Sequence, residues 1–455
     1  MQLVWHRTEL RTHDHPALAA AARAATEEGG GPVVPLVIVD PLIFGRPTTT
    51  PRRQAWFLEN VRALRASYRA LGADLIVREG VPHEVLGAFA VEHRISRVHY
   101  IRNHTPYAAG RDAAATEALR GAGAEVLAYD GQYTHPPGTV VTRTGGRYGV
   151  FGPYVKAWAA LPPPELAATP EALEAVPRRI ERGAIRTVDP GIPLPPTGEA
   201  AAIARLEAFL RDGEAGYATA RNVPAKKPGT SLLSMYFNVG ALSPRLAVHW
   251  SRDAKWRSEL AWWDFNAEVL DRQPEGATLE YKEAWRGFPW RRDAEEERRW
   301  AEGRTGFPMV DAGMRQLVAT GFMHNRARLI TASFLSKHLL IDWRAGEATF
   351  RGLLLCGDSA QNIGNWQWVA GCGYDASPYF RIFNPVSQGK RFDPDGEYVR
   401  TWVPELSRLA GKSAHRPWAA KSPPPGYPPP MIDLDEGRDR FLTAARGFLR
   451  RGLQG

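Results

Sequence analysis

The sequence predicts an N-terminal, doubly wound parallel-sheet α/β domain and an all-α C-terminal domain, joined by a long connector. Three observations carry this. Over the first 130 residues, short β-branched runs alternate with Ala-, Leu- and Arg-rich stretches of helical period, the pattern of a parallel sheet with helices on both faces. From about 131 to 197 the texture turns to proline and glycine, and after 198 the period is helical almost throughout. At 455 residues the chain also exceeds what one core organises, roughly 250 to 300 residues. The expected divisions are 1–131 for the α/β domain, 132–197 for the connector and 198–455 for the helical domain.

Strands are expected at 3–6 (LVWH), 33–40 (VVPLVIVD), 74–80 (DLIVREG), 97–103 (RVHYIRN) and 124–131 (AEVLAYDG), with helices near 16–28, 50–71, 82–94 and 108–121 between them. Doubly wound sheets take ligands at the carboxyl ends of their strands, so the loops 6–13, 40–53 and 103–111 are the expected place of a small molecule. The GGGP at 29–32 precedes a strand instead of following one and supports no dinucleotide fingerprint. The connector segments LPPPELAATP and DPGIPLPPTGE read as extended chain. Helices are then expected at 199–213, 243–256, 257–273, 308–321 and 324–343, with a last one near 435–451 after the proline-rich KSPPPGYPPP. Ser243-Pro244 and Asp311 are start signals, and Gly321 is a stop.

Lys and Arg outnumber Asp and Glu by 58 to 49, giving net +9. Arginine dominates, which suits a polyanionic partner, although scattered charge also fits a solvated basic surface. Only Cys356 and Cys372 are present, without disulfide or zinc spacing, so a reducing, cytoplasmic location and no metal are expected. No apolar signal region opens the chain and no run of about 18 apolar residues occurs, so neither secretion nor a membrane partner is expected. Nucleophile elbow, HExxH, Walker loop and CxxC are all missing, which leaves ordinary hydrolysis and phosphoryl transfer without visible machinery.

Helical spacing singles out three groups. In NWQWVAGCG, Trp366 and Trp368 lie about 200° apart on a helix and point to opposite sides. In ELAWWDF, Glu259 and Trp262 share a face; in HNRARL, Asn325, Arg328 and Leu329 do the same. Aromatic walls with a carboxylate and an amide between them suit a planar base or extruded nucleotide. An ordinary Glu259–Arg328 ion pair with both tryptophans in the core is the competing reading. In KKPGTSLLSMYF, Thr230, Ser231 and Ser234 precede a helix, as an anion cradle or as simple caps. Trp300, Trp343 and Trp366 share no short-range pattern, and spacing alone favours three separate core residues.

Four stretches, LVWHRTELRTHDHPAL, TSLLSMYFNVGALSPR, TGFPMVDAGMRQLVATGFMHNRARLITASFL and NWQWVAGCGYDASPYFRIFNPVSQGKRFDP, resemble the cryptochrome/photolyase family, and within it the bacterial class I cyclobutane pyrimidine dimer photolyases. The resemblance implies an antenna-chromophore domain, a connector and a helical FAD-binding domain. Around FAD it places Tyr217, Thr230, Ser231, Leu232, Leu233, Ser234, Arg328, Asp358 and Asn362. It puts the lesion against Trp262 and Trp368, with Glu259 and Asn325 hydrogen-bonded to it. It makes Arg221, Leu329 and Lys390 DNA contacts. Trp366, Trp343 and Trp300 match the family's electron path from the surface to oxidised flavin. Burial beside Trp262 is expected to keep the Glu259 carboxyl protonated.

The implied activity is light-driven splitting of cyclobutane dimers in UV-damaged DNA, single- or double-stranded, by a monomer. A cryptochrome-type light receptor and a six-four photolyase are the rivals. The set Glu259, Trp262, Asn325 and Trp368 speaks against the first, and Asn325 in place of histidine against the second. Departures from the family are Cys356 for an aspartate partner of Arg328, Leu232 for arginine, Trp263 for arginine and Leu329 for methionine. NHTPYAAGRD and TTPRRQAWFLENVR resemble members that bind a deazaflavin or FMN, with Arg53, Asn103 and Tyr107 as antenna candidates; Ala108 stands where folate binders carry an acidic residue.

Overall fold

In the computed structural model, which describes residues 1–27, 29 and 31–451, five strands form one parallel sheet. They are β1 (Gln2–His6), β2 (Val33–Val39), β3 (Ile76–Glu79), β4 (Arg97–Ile101) and β5 (Glu125–Tyr129), in the order β3-β2-β1-β4-β5. All five lie where the β-branched runs predict them. β1 and β2 are buried along their whole length, which is why they read as continuous apolar runs rather than alternating ones. The longer intervening helices are Pro16–Glu27, Pro51–Ala70, Pro82–His93 and Pro106–Gly121, and a single turn, Pro41–Phe44, follows β2. Position 28, the expected end of the first helix, lies outside the described residues.

The order of the strands reverses between the paired strands β1 and β4, which marks the crevice where such sheets bind ligands. The loop after β1, expected to receive a small molecule, is instead filled by protein. Arg11, Asp14 and His15 are buried there. The Glu199 carboxylate accepts from the Thr12 amide and hydroxyl and from the His13 amide and ring, while Asp14 pairs with Arg245 at 2.5 Å. His6, Glu9 and His15 bring possible ligand atoms within 4.8 Å of one another. However, the Leu18 amide donates to His15 Nδ1, so the ring proton sits on Nε2 and blocks that atom as a metal ligand.

Two compact units differ from the divisions expected from texture. One comprises Met1–Glu214 with Ser231–Arg272, and the other Ala215–Thr230 with the chain from Gln273 onward. The helices Gly198–Asp212 and Ala254–Arg272 belong to the first unit because their polar contacts lead there. The Gly198 amide donates to Asn60 Oδ1 at 2.9 Å, and a Cβ at Gly198 would come within 2.5 Å of Ala63. Asp264 accepts from Trp158 Nε1 at 2.7 Å and from the amides of Thr134 and His135; burial pushes its carboxyl up to about 7.

In the first unit, the expected helix 243–256 breaks after Pro244–Trp250. Glu214 Oε1 accepts from the Ser251 hydroxyl and the amides of 252 and 253, offering the backbone another partner. In the second, the expected helix 324–343 divides into Asn325–Ser333, a π-helical turn Phe334–His338 and Trp343–Leu353. Leu340, at φ +60°, terminates the run. Asp311 is not a helix cap: Pro308–Thr320 begins a turn earlier, and the buried carboxylate binds Thr305, Gly306 and Tyr427. No helix among the described residues is long and apolar enough to cross a membrane.

Candidate functional site

Two helical stripes line a cleft of about 90 Å³ in the second unit. Asn325, Arg328, Leu329 and Ala332 recur at i, i+3, i+4 and i+7 on Asn325–Ser333, while Asn362, Asn365, Trp366 and Val369 repeat that spacing on Ser359–Ala370. Phe350, Leu354 and Cys356 add further wall. Both helices have polar starts. His324 Nδ1 accepts the Arg326 amide at 3.1 Å, and burial with the neighbouring Arg328 and Arg326 charges pushes its pKa down to about 4. Asp358 Oδ1 accepts the Gln361 amide at 2.9 Å, so this residue is the helix cap as well as a cofactor candidate.

Asn362 has a fixed orientation. Its Nδ2 donates to the Glu347 carbonyl at 2.8 Å and to Glu347 Oε1 at 2.9 Å, leaving Oδ1 as the acceptor toward the cleft. Glu347 is buried and its other carboxylate oxygen meets Arg351 at 2.6 Å. Opposite, Arg328 donates from Nε to the Met323 carbonyl at 2.8 Å and from Nη2 to Cys356 Sγ at 3.4 Å. A sulfur therefore stands where the resemblance implies a carboxylate, and it is a weak acceptor.

Trp366 and Trp368 separate as their spacing predicts: Trp366 is buried in the cleft wall and Trp368 is half-buried. The tip of the Trp366 ring occupies the space of a missing side chain at Gly346, where a Cβ would lie 2.1 Å away. Gly346 shares a helix face with Trp343, three residues earlier. Trp300 corrects an expectation. It is only 1 % exposed, packs 6.1 Å from Trp366 and donates to the Thr331 carbonyl, so it cannot be the surface end of an electron path. Trp290, which sequence reasoning missed, is half-buried and shares the Glu280 carboxylate with Trp343, at 3.1 Å and 3.3 Å.

Of the other second-unit candidates, Tyr217 is buried beneath Arg221, whose guanidinium carbon lies 5.3 Å from the ring centre. Thr230 and Lys390 are half-buried, Lys390 in the last turn of Pro385–Phe392.

In the first unit, Trp262 stacks on Phe151 with ring centres 3.7 Å apart and planes 13° apart, a flat aromatic pair. Glu259, a helical turn before it, is not enclosed as expected. Its side chain is 28 % exposed and pairs with Lys255 at 3.0 Å. Trp263 is buried near Phe237, which accounts for an aromatic where the resemblance implies arginine. Ser234 begins the helix Ser234–Asn238 with Leu233 before it, and no side chain caps that helix, so capping does not explain the hydroxyls. Leu232 holds φ +55°, a left-handed conformation that bulky residues rarely adopt, and the carbonyl of Ser231 accepts from Arg205.

At the strand ends, the Tyr107 hydroxyl donates to Asp40, Arg46 stacks 4.3 Å from its ring, and burial with the Asp40 contact pushes its pKa up to about 12. Arg53 donates to the Thr48 carbonyl at 2.9 Å. Asn103 donates to the Thr8 hydroxyl at 3.3 Å and accepts from the Thr105 amide and hydroxyl, which ties the loop after β4 to the loop after β1.

Residues 2–174 match the DNA photolyase family model, and residues 256–447 match that of the FAD binding domain of DNA photolyase. A deoxyribodipyrimidine photo-lyase of Thermus thermophilus is 43 % identical, with 98 % of this chain and 99 % of that protein covered. A class III photolyase crystal structure from Agrobacterium tumefaciens has TM-score 0.89 at 35 % identity, covering 99 % of this chain and 98 % of that one. A Synechocystis cryptochrome structure has TM-score 0.88 at 28 % identity, covering 98 % of this chain and 99 % of that one.

Proposed function

Because the chain belongs to the DNA photolyase family, we propose that it is a light-dependent deoxyribodipyrimidine photo-lyase that splits cyclobutane pyrimidine dimers in UV-damaged DNA, and within the family a class I enzyme. The observation that carries this reading is the cleft in which the Arg328 guanidinium and the oriented Asn362 carbonyl oxygen are joined by apolar side chains. A donor, an acceptor and flat apolar walls fit the edge of an isoalloxazine ring.

Arg328, Asp358 and Asn362 would hold that polar edge of FAD, and Tyr217 with the TSLLS hydroxyls Thr230, Ser231 and Ser234 its remaining polar groups. Bound flavin supplies a photoexcited electron that opens the dimer and is then returned. Phe350, Leu354 and Val369 keep water from the cleft, which strengthens the interactions made there. Asn362 Oδ1 can accept a proton-bearing group and cannot easily turn away while Glu347 holds its amide.

Photolyases are among the enzymes that take their target out of the base stack. Trp262 and Trp368 offer the aromatic faces for the extruded bases, and Glu259 and Asn325 the hydrogen bonds. Lys255 keeps a cation beside the Glu259 carboxylate, where it offsets negative charge arriving on the lesion. Arg221, Lys390 and Leu329 serve the DNA strand, consistent with net +9. The electron path runs through Trp366 and Trp343 to Trp290. A deazaflavin or FMN antenna is proposed near Arg53, Asn103 and Tyr107, in a cytoplasmic monomer organised as antenna, connector and FAD-binding segments.

Binding to a dimer-containing oligonucleotide tests the lesion site. Base–aromatic stacking of about 1–3 kcal/mol predicts that Trp368→Ala and Trp262→Ala each weaken it by about tenfold. Wild-type affinity in both variants would contradict the assignment. Mass spectrometry of natively purified protein identifies the antenna, and a bound folate would overturn that part.

A further inference from the structure

Glu280 is a buried carboxylate between two indoles and a guanidinium. It is 2 % exposed. Its Oε1 accepts from Trp343 Nε1 at 3.3 Å and from Trp290 Nε1 at 3.1 Å, while its Oε2 pairs with Arg344 at 3.0 Å. Burial works against ionisation of this carboxyl, but Arg344 and the Trp290 donor outweigh it and hold the group below the usual carboxylate range. Arg344 also lies over the Trp343 ring, 4.7 Å from its centre, and is held there independently by Asp342 and by the Thr278 carbonyl.

The two indoles therefore feel different fields. Removing an electron from either ring leaves a positive charge that Glu280 stabilises. On Trp343 the stacked Arg344 cation opposes that charge at short range, where fixed charges act strongly because water is excluded. Trp290 takes the shorter hydrogen bond to the carboxylate, no guanidinium among the described residues stacks on it, and it is half-buried, so water also stabilises charge there. Trp343, at 1 % exposure, has no such help.

We propose that the Glu280–Arg344 pair sets the direction of charge movement between the two tryptophans, driving the positive charge outward from Trp343 to Trp290. One electron leaves Trp290 and fills oxidised Trp343; no bond forms or breaks. The inference rests on the proposed light reaction, in which oxidised flavin is the electron acceptor, and an external thiol finally returns an electron to Trp290. Glu280 and Arg344 are positioning residues, acting through the indoles.

Flash spectroscopy of the flavin-loaded protein, reading tryptophan-radical absorption, tests this. Glu280→Gln is expected to lower the yield of the long-lived radical by about tenfold, with Glu280→Asp restoring part of it. Arg344→Gln, which removes the opposing charge from Trp343, is expected to slow the Trp343-to-Trp290 step by a similar factor. Circular dichroism checks folding, and Arg344→Gln decides alone if Glu280→Gln does not fold. Wild-type radical yield and kinetics in the folded variants would overturn the proposal. Absence of any tryptophan radical in the wild type, with repair by pre-reduced protein intact, would refute the electron path and this inference with it while leaving the repair function standing.

Discussion

Asn362 gives both of its amide hydrogens to Glu347, one to the backbone carbonyl and one to a carboxylate oxygen. This fixes which end of the amide meets the cofactor. A hydrogen bond to a charged group contributes about 1.5–3 kcal/mol, so Glu347→Ala is expected to loosen the amide and lower flavin retention by about tenfold. The ratio of bound flavin to protein after gel filtration measures it. Wild-type retention with an unchanged flavin spectrum would show that the orientation is not needed.

Arg328 meets Cys356 Sγ at 3.4 Å, a weak contact for a guanidinium. Cys356→Asp supplies a charged partner, and Leu232→Arg adds a cation in the TSLLS segment. The double variant is expected to lose flavin about tenfold more slowly than the wild type, on the scale of one charge-assisted hydrogen bond. Equal dissociation rates would mean that the two departures do not set flavin affinity.

Trp290→Phe is expected to abolish photoreduction of oxidised flavin, and Trp300→Phe to preserve it. Trp343 and Trp290 share a carboxylate oxygen, whereas Trp300 is buried against Trp366. Steady-state bleaching of the flavin band under blue light with an external thiol separates the two. The reverse pattern would restore Trp300 as the outer member.

Glu199 carries a pH dependence. Burial favours its neutral form, but hydrogen bonds from His13, Ser67 and Thr12 win and lower its pKa from 4.5 to about 2. A lowered folded-state value means that ionised Glu199 stabilises the fold fully above pH 4.5 and loses this effect as pH falls toward 2. The shift corresponds to about 3 kcal/mol at neutral pH. Glu199→Gln should cost roughly that at pH 7 and almost nothing near pH 2, read by denaturant unfolding. A deficit independent of pH would contradict the assignment.

The five strands were legible because β-branched runs bounded by turns leave little choice of local structure. The separation of buried Trp366 from half-buried Trp368 was legible for a similar reason, since helical periodicity is local. Glu347, Glu280 and Trp290 were not: their partners lie 15, 63 and 10 residues away and are joined only by tertiary packing. The 6–13 loop looked open because nothing local announces that Glu199, 187 residues beyond Thr12, would fill it. The connector's texture suggested a boundary near 197, while Asn60 and Ala63 hold Gly198 in the first unit.

The central claim is light-dependent dimer splitting, and a photoreactivation assay reaches it most directly. Reduced, flavin-loaded protein is incubated with DNA carrying cyclobutane dimers or six-four photoproducts, in blue light and in darkness, and the remaining lesions are counted. The account predicts loss of cyclobutane dimers in the light only, with six-four photoproducts untouched. Cyclobutane dimers persisting in the light, with flavin bound and reduced, would contradict it.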